Sequence, residues 1–426
     1  MDEIKKKLKK IDRRRKAFKK LMKRQAIYSQ IELSVAKRRK TEERFKAYGI
    51  AAVSVALIFM AVLFFNIISK GYTAFQQTQI MLPVTISEND AASGNYQPSL
   101  LLAMQGLFPE VAENIVARQL LPLISKGATE NLREVPAGNP KEIWLPASSS
   151  VDMLIKSDMK NFGRLKPAQI EWVKFLDQNG RVRKVFNTAF FTSGDSREPE
   201  MAGVLGSMVG SVLVIISCML LAFPLGTMTA IYLEEFAPKN KLTEFIEINI
   251  NNLAAVPSII FGLLGLTVYL QFMGVPRSAP LAGGLTLALM ALPVIVIATR
   301  TSIRAIPQNI RDGASALGAS HLQVVKHHVL PLAMPGIMTG TILSIARVMG
   351  ETAPLIMIGM VAFIVNVPTD FLSPATAMPV QIYLWSDSAE QGFIEKTSAC
   401  IIVLLVLLAL INAVAVYLRK KFEVRW

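Results

Sequence analysis

An arginine and a glutamate four residues apart, Arg347 and Glu351, stand inside one of the most apolar stretches of this chain. That spacing brings two side chains to one face of a helix. Counted from Gly336, Arg347 falls about 16 Å along such a helix. This is near the middle of a bilayer, where an arginine costs roughly 2.5–3.5 kcal/mol on insertion scales. Something must offset that cost. Either Glu351 and neighbouring helices satisfy the guanidinium as a structural ion pair, or the guanidinium is an anion site, its forked donors matching the oxygens of a tetrahedral anion. In the second case Glu351 holds Arg347 in place, or accepts a hydrogen from an oxyanion that is still protonated. That acceptor role discriminates against an anion with no hydrogen to give.

Asn251, Asn252, Pro257 and Ser258 form a second polar interruption, at the start of another apolar run. Proline frees a carbonyl, and irregular backbone at membrane depth is tolerated only inside protein or beside water. Pro257 and Ser258 therefore either line a pathway or mark a packing kink; Pro293 reads as a kink. Residues 300–335 read as a helical hairpin. Asn309 or Gln308 caps a helix starting after Pro307, Gly318 breaks it, and a second short helix from about Ser320 ends before Pro331. Gly313, Ala314, Ala316 and Ala319 leave a shallow surface suited to docking. His321, His327 and His328 lie within eight residues, but no carboxylate or cysteine joins them. They suit an interface or a headgroup better than a metal, and no metal site is expected.

These groups need long apolar helices to position them. Of 426 residues, 52% are hydrophobic and 18% charged, which excludes an unfolded polar chain. The formal net charge is +15, and residues 1–46, with 19 basic and 6 acidic groups, hold nearly all of it. Their apolar positions Ile4, Leu8, Ile11, Phe18, Leu21, Met22 and Ile27 fit a basic amphipathic helix on an anionic inner leaflet. Docking on a partner or nucleic acid are the alternatives, and concentration of the charge in one arm argues against nucleic acid. Cys218 and Cys400 lie in apolar runs, so neither a disulfide framework nor a cysteine zinc site is expected.

Six stretches are long enough to span a bilayer: 48–69, 201–232, 248–273, 282–298, 336–365 and 399–418. The first, taken as 47–69, is a signal anchor rather than a cleaved leader, because its apolar run is too long. The basic arm puts the N-terminus in the cytoplasm, and Arg419, Lys420, Lys421 and Arg425 put the C-terminus there too. Residues 70–200, with 14 basic and 14 acidic groups, fall outside as an insertion. In it, Phe75–Ile86 reads as a strand and Ser99–Ser125 as one or two helices broken near Pro109. Residues 170–176 and 182–191 read as a hairpin around Asp177-Gln178-Asn179-Gly180. The expected architecture is an all-α polytopic membrane protein of six transmembrane helices, with an α+β extracytoplasmic insertion between helices 1 and 2. Residues 201–426 are its membrane core.

Asp312-Gly313-Ala314, then Gly318, then Leu330-Pro331 resembles the EAA loop of ABC importer permeases. Ala254–Gly262 and Gly350-Glu351-Thr352-Ala353-Pro354-Leu355 are similar to phosphate permeases of the PstA type. The resemblance covers roughly 201–426; Asp312 replaces the usual glutamate and His328 a usual aliphatic residue. It implies a non-enzymatic permease subunit of an ATP-driven phosphate importer in a bacterial inner membrane. Arg347, Glu351, Thr352, Ser258 and Asn252 would line the substrate pathway. Asp312, Gly313, Ala314, Gly318, Leu330 and Pro331 would couple to the ATPase. The implied partners are a second homologous permease, two copies of a cytoplasmic ATPase and a periplasmic phosphate-binding protein, with surrounding lipid and no nucleic acid. ATP and Mg belong to the ATPase, and no cofactor to this chain. Sulfate, molybdate or phosphonate is the alternative cargo, and a membrane sensor or scaffold the alternative class.

Overall fold

The computed structural model describes residues 2–109, 118–133, 135–160 and 164–422, and is mostly helical. It divides into two compact units, Met1–Asn66 and Ile67–Trp426. The first is the greater part of one long helix, α1 (Asp2–Gly71), in which the basic arm and the first apolar run are continuous. Apart from Met22, the side chains of the expected amphipathic stripe lie outside the described residues, as does Arg425.

In the second unit, β1 (Gln76–Val84) is the middle strand of a three-stranded sheet in the order β2-β1-β3. The helix α2 (Gln97–Leu107) follows it, and residues 110–117 of the expected second helix lie outside the described residues. Both neighbours of β1 are antiparallel: β2 (Lys141–Pro146) places Val84 opposite Lys141, and β3 (Val182–Phe186) places Gln76 opposite Phe186. Between β2 and β3 lie α3 (Ser149–Lys156) and α4 (Pro167–Gln178). The expected hairpin is therefore wrong. Ile170–Leu176 is helical, with Val173 and Leu176 on the buried face, and β3 pairs with β1 instead. Asn179-Gly180 is a helix stop: Gly180 has φ +69°, and Arg181 N donates to Leu176 O at 2.9 Å, closing the helix in a Schellman-type turn.

The remaining chain is a helical bundle. Its parts are α5 (Leu205–Ile231), α6 (Lys241–Ala254), α7 (Ser258–Gly265, continued by a wider turn to Phe272) and α8 (Pro280–Arg304). There follow α9 (Gln308–Ala316), α10 (His321–Met349), α11 (Ala353–Met357), α12 (Met378–Ser386) and α13 (Gly392–Phe422). Among the described residues, five helices are long and apolar enough to cross a membrane, or six if the α6–α7 pair, bent by 101°, counts as one.

Three sequence expectations need correction here. The third apolar run is broken at Ala255–Pro257, where Pro257 adopts extended ψ 137° and cannot continue α6. The fifth starts at His321 and ends at Met349, so it does not reach Val365. The second helix of the 300–335 hairpin does not stop before Pro331, because it continues into α10. A π-helical stretch, Val325–Val329, takes up the register where Pro331 offers no N–H.

Helix α8 is the axis of the bundle. Gly284 lies against Val214 and Ser217 of α5, and Gly226 against Ile295, so α5 and α8 run parallel. Gly336 faces Ser302 and Gly340 faces Ala298, making α10 antiparallel to α8; Gly265 against Thr286 together with Glu247 on Arg300 does the same for the α6–α7 pair.

The 70–200 segment is fastened to α13 by charge. Lys156 Nζ, on a side chain only 6% exposed, lies 2.6 Å from Asp152 and 2.7 Å from Glu395, and Asp152 Oδ1 accepts from Thr78 N at 2.8 Å. Such a pair is costly to desolvate and costlier still to leave half broken. Nearby, burial pushes the Glu200 carboxyl up to about 7. Burial also raises Asp195, against the lowering effect of the Trp385 Nε1 bond it accepts at 2.9 Å.

A side chain at Gly284 would collide with Ser217 Cβ and Val214 O, whereas Gly313 has open space around it. Overpacking of this kind typically costs about 1–3 kcal/mol. Gly284→Val should therefore lower the thermal unfolding midpoint of the detergent-solubilised chain clearly, and Gly313→Ala should leave it in place.

Candidate functional site

The antiparallel register that joins Gly336 to Ser302 and Gly340 to Ala298 carries on to set Arg347 level with Ala291, midway along α8. By the register of Gly265 on Thr286, Ser258 comes level with Pro293. Two helix ends therefore fall at one depth of the bundle: the C-terminus of α10 and the N-terminus of α7. Glu351 and Thr352 lie just past Gly350, which caps α10, and α11 begins at Ala353. Gly262 of α7 abuts Pro354 and Met357 of α11, which keeps the two interruptions side by side.

Arg347 thus lies level with the middle of α8, but the helix that carries it starts at His321 rather than Gly336. Arg347 occupies the last turn of α10, and Glu351 is beyond the helix rather than on its face. Arg347 Nε is 4.0 Å from Glu351, with side chains 45% and 23% exposed, a separation at which an ion pair between partly open groups contributes little. A cation also suits a helix C-terminus, where the backbone carbonyls leave partial negative charge. Ser258 and Thr352 are half-buried, and Asn252 is exposed near the end of α6.

At the other end of α8 the arginines are ion-paired. Arg300 Nε is 2.9 Å from Glu234 and its Nη2 is 2.6 Å from Glu247; Arg304 Nη2 is 2.6 Å from Glu234. Arg311 of α9 pairs with Glu235 at 2.9 Å and donates to the carbonyls of Ile306 and Ile303 at 2.7 and 3.1 Å. Glu235 O also bonds His321 Nε2 at 2.7 Å, and the His321 ring meets Phe236 edge to face. This network ties α5, α6, α8, α9 and the start of α10 together, and sequence reading missed it. The signal was present in Glu234-Glu235 closing one apolar run and Arg300, Arg304 and Arg311 following another.

Helix α9 carries Asp312, Gly313 and Ala314 of the residues expected to dock a partner. Its cap is Pro307, which makes no side-chain bond, rather than Gln308 or Asn309; Gln308 Nε2 donates instead to Asp312 Oδ1 at 3.1 Å. Ala314 is buried against Ile303, Ile306 and Val324, while Asp312 and Gly313 are exposed and Leu317 is 91% exposed. Gly318, at φ +87°, makes the left-handed turn that a side chain would strain. Ser320 and Gln323 then cap α10 reciprocally. Leu330 is half-buried against the same cluster, and Pro331 is half-buried beside it.

Residues 222–424 match the family described as "Binding-protein-dependent transport system inner membrane component", and residues 32–162 match a "Domain of unknown function (DUF3333)". The membrane core is therefore that of a permease component of an ABC import system. "Phosphate transport system permease protein PstA 1" of Mycobacterium tuberculosis is 32% identical over 217 residues, 51% of this chain and 70% of that protein. The PstA protein of Yersinia pestis is 32% identical over 51% of this chain and 74% of its own length. The chain belongs to the PstA-type family of phosphate transport system permeases, multi-pass proteins of the inner membrane. Among solved structures, an inward-facing MetNI methionine ABC transporter aligns with 52% of this chain and 96% of its own, at 18% identity and a TM-score of 0.43.

Hydrogen bonds to a charged partner contribute about 1.5–3 kcal/mol. Arg311→Met, which removes the Glu235 pair and both carbonyl bonds, should speed amide hydrogen exchange across 308–316 by roughly tenfold or more. Gln308→Ala, which removes one exposed bond, should leave the exchange nearly unchanged.

Proposed function

We propose that this chain is the membrane-spanning permease subunit of an ATP-driven importer of inorganic phosphate, and that it conducts by alternating access. The observation that supports the reading is the common level of Arg347, Glu351, Thr352 and Ser258, at two helix ends midway along α8. A guanidinium with donors left over by a loose ion pair offers forked hydrogen bonds to a tetrahedral anion. Glu351 accepts the hydrogen of a protonated phosphate, an interaction that sulfate cannot return. Asn252 receives the anion on the cytoplasmic side of the break. The irregular backbone at Ala255–Pro257 and Gly350–Thr352 is suited to line a wet path, since at membrane depth it must be sheltered by protein or water.

Alpha-9 is the contact with the ATPase. Asp312, Gly313, Ala314, Gly318, Leu330 and Pro331 form or support its surface, and nucleotide-driven closure of two ATPase copies would pull on α9 and rock α10. ATP and Mg are bound and consumed by those partners; this chain couples and conducts. A second homologous permease completes the pore, and a periplasmic binding protein delivers phosphate. Residues 1–46 form a cytoplasmic arm, 47–69 the first span and 70–200 an α+β insertion in the periplasm. The α6–α7 pair counts as one span, giving six crossings with both termini cytoplasmic.

Labelled phosphate uptake by phosphate-starved cells tests this, comparing wild type with Arg347→Gln at equal membrane levels. Wild type should take up phosphate without competition from excess sulfate or molybdate, and the variant should assemble but lose most uptake. Displacement by another oxyanion would move the cargo assignment. Normal uptake by Arg347→Gln would reduce the charge to a structural part.

A further inference from the structure

Where the 70–200 segment meets the bundle, three phenylalanine rings form a slipped stack. Phe75 and Phe191 lie 5.7 Å apart at 12°, and Phe191 and Phe186 lie 5.8 Å apart at 5°. The inner end of the stack is packed: Phe190, fully buried, meets Phe75 and Phe191 edge-on, and Lys396 Nζ stands 4.9 Å over its ring. The outer end is open, with Phe186 62% exposed and Tyr72 56% exposed. The stack is held by backbone. Asn187 N donates to Phe75 O at 2.8 Å, Asn187 Nδ2 donates to Ala74 O at 3.0 Å, and Phe190 N donates to Asn187 Oδ1 at 3.1 Å. An exposed phenylalanine alone needs no explanation. A fixed stack that leads from a core to an open ring is a different feature, because its exposure cannot be relieved by turning a side chain inward.

Its height decides what covers it. Gly71 sits against Ser398, Ala399 and Ile402, at the start of the uncharged part of α13 and just past Glu395 and Lys396. From there Tyr72–Phe75 forms a tight helical turn, which climbs about 8 Å at roughly 2 Å per residue. The polar layer of a bilayer is about 5–8 Å thick on each side of its hydrocarbon. The ring stack thus stands at headgroup height, where amphipathic aromatic side chains concentrate in membrane proteins. Lys70 precedes the turn that carries the stack, and Lys184, 3.9 Å from the exposed Asp158, shares the face of β3 that carries Phe186, since alternate strand residues point the same way. Cations beside the rings suit phosphate-bearing headgroups.

We infer that the edge formed by Tyr72, Phe186 and the stacked Phe191 and Phe75 is immersed in the outer-leaflet lipid interface, so that the sheet rests on the membrane rather than standing clear of it. This rests on the reading of 70–200 as a periplasmic insertion. Cys218 and Cys400 are both fully buried, so a nitroxide can be attached to single cysteines introduced into the native chain. The labelled sites are Phe186→Cys and Tyr72→Cys, with Leu410→Cys, 59% exposed on α13, as the lipid reference. Lys141→Cys, at the far end of the sheet opposite Val84, is the water reference. Each full-length variant is placed in right-side-out vesicles containing phosphatidylglycerol. The quantity read is the ratio of collisions with oxygen to collisions with an external nickel chelate.

The ratio should fall in the order Leu410, Tyr72, Phe186, Lys141. A Phe186 ratio equal to that of Lys141 would put the stack in water and overturn the inference. Shielding of Phe186 from both reagents would overturn it too, by showing a protein cover. Failure of the chelate to reach Lys141 would instead overturn the periplasmic placement of the segment. A damaged variant is recognised independently, because Phe186→Cys can be replaced by the Tyr72 label, which must still report a depth between the two references.

Discussion

The approach of α5 to α8 at Gly284, where a methyl group would already collide with Val214 and Ser217, sets the terms for the rest of the bundle. Small residues allow two helix backbones to come close, and in an apolar surround that closeness supplies most of the attraction, through dispersion rather than expulsion of water. Once α8 is fixed, Gly336 and Gly340 register α10 on it and Gly265 registers α7. The depth at which those two helices are interrupted then follows from the register. Polar residues at the interruptions arrive at one level without needing to touch each other.

Charge is distributed along this scaffold in two ways. Near Arg304, every arginine named here meets a carboxylate within hydrogen-bonding distance, and the network holds five helices in one arrangement. At mid-length, Arg347 has only a 4.0 Å neighbour and is half-exposed. The first pattern resists movement. The second leaves a cation whose donors are open to another partner. The same contrast appears at the insertion, where Lys156 is clamped between two carboxylates, so the sheet and α13 are linked by groups that are expensive to separate.

Much of the bundle was legible in the sequence because its signals are local. The first, second, fourth and sixth apolar runs, the Gly318 stop and the Ser320 start survive translation into helices with little change. The β1 strand was legible for the same reason. Misreadings came where one signal serves two structures. Asn179-Gly180 marks both hairpin turns and helix ends, and only the Arg181–Leu176 bond identifies the second. Pro331 ordinarily closes a helix, yet the wider turn at Val325–Val329 carries the chain through it. Arg347, Glu351, Thr352 and Ser258 were singled out by type and by resemblance, but their common depth was not visible, because it depends on helix-to-helix register. Nor was the Glu234–Arg300 network, whose partners are 66 residues apart.

The absence of a break between the turn at His321 and the end at Met349 has a mechanical consequence. Helix α10 is a single rod resting on α8 at Gly336 and Gly340, a fulcrum nearer one end than the other. His321 lies about 25 Å from that support and Arg347 about 14 Å, taking 1.5 Å per residue. A rod rocking there swings its two ends in opposite senses, and the shorter arm moves about half as far as the longer one. The contact with α8 thus leaves the guanidinium on the short arm of the rod, while the end of the long arm is held to Glu235 and Phe236 through His321.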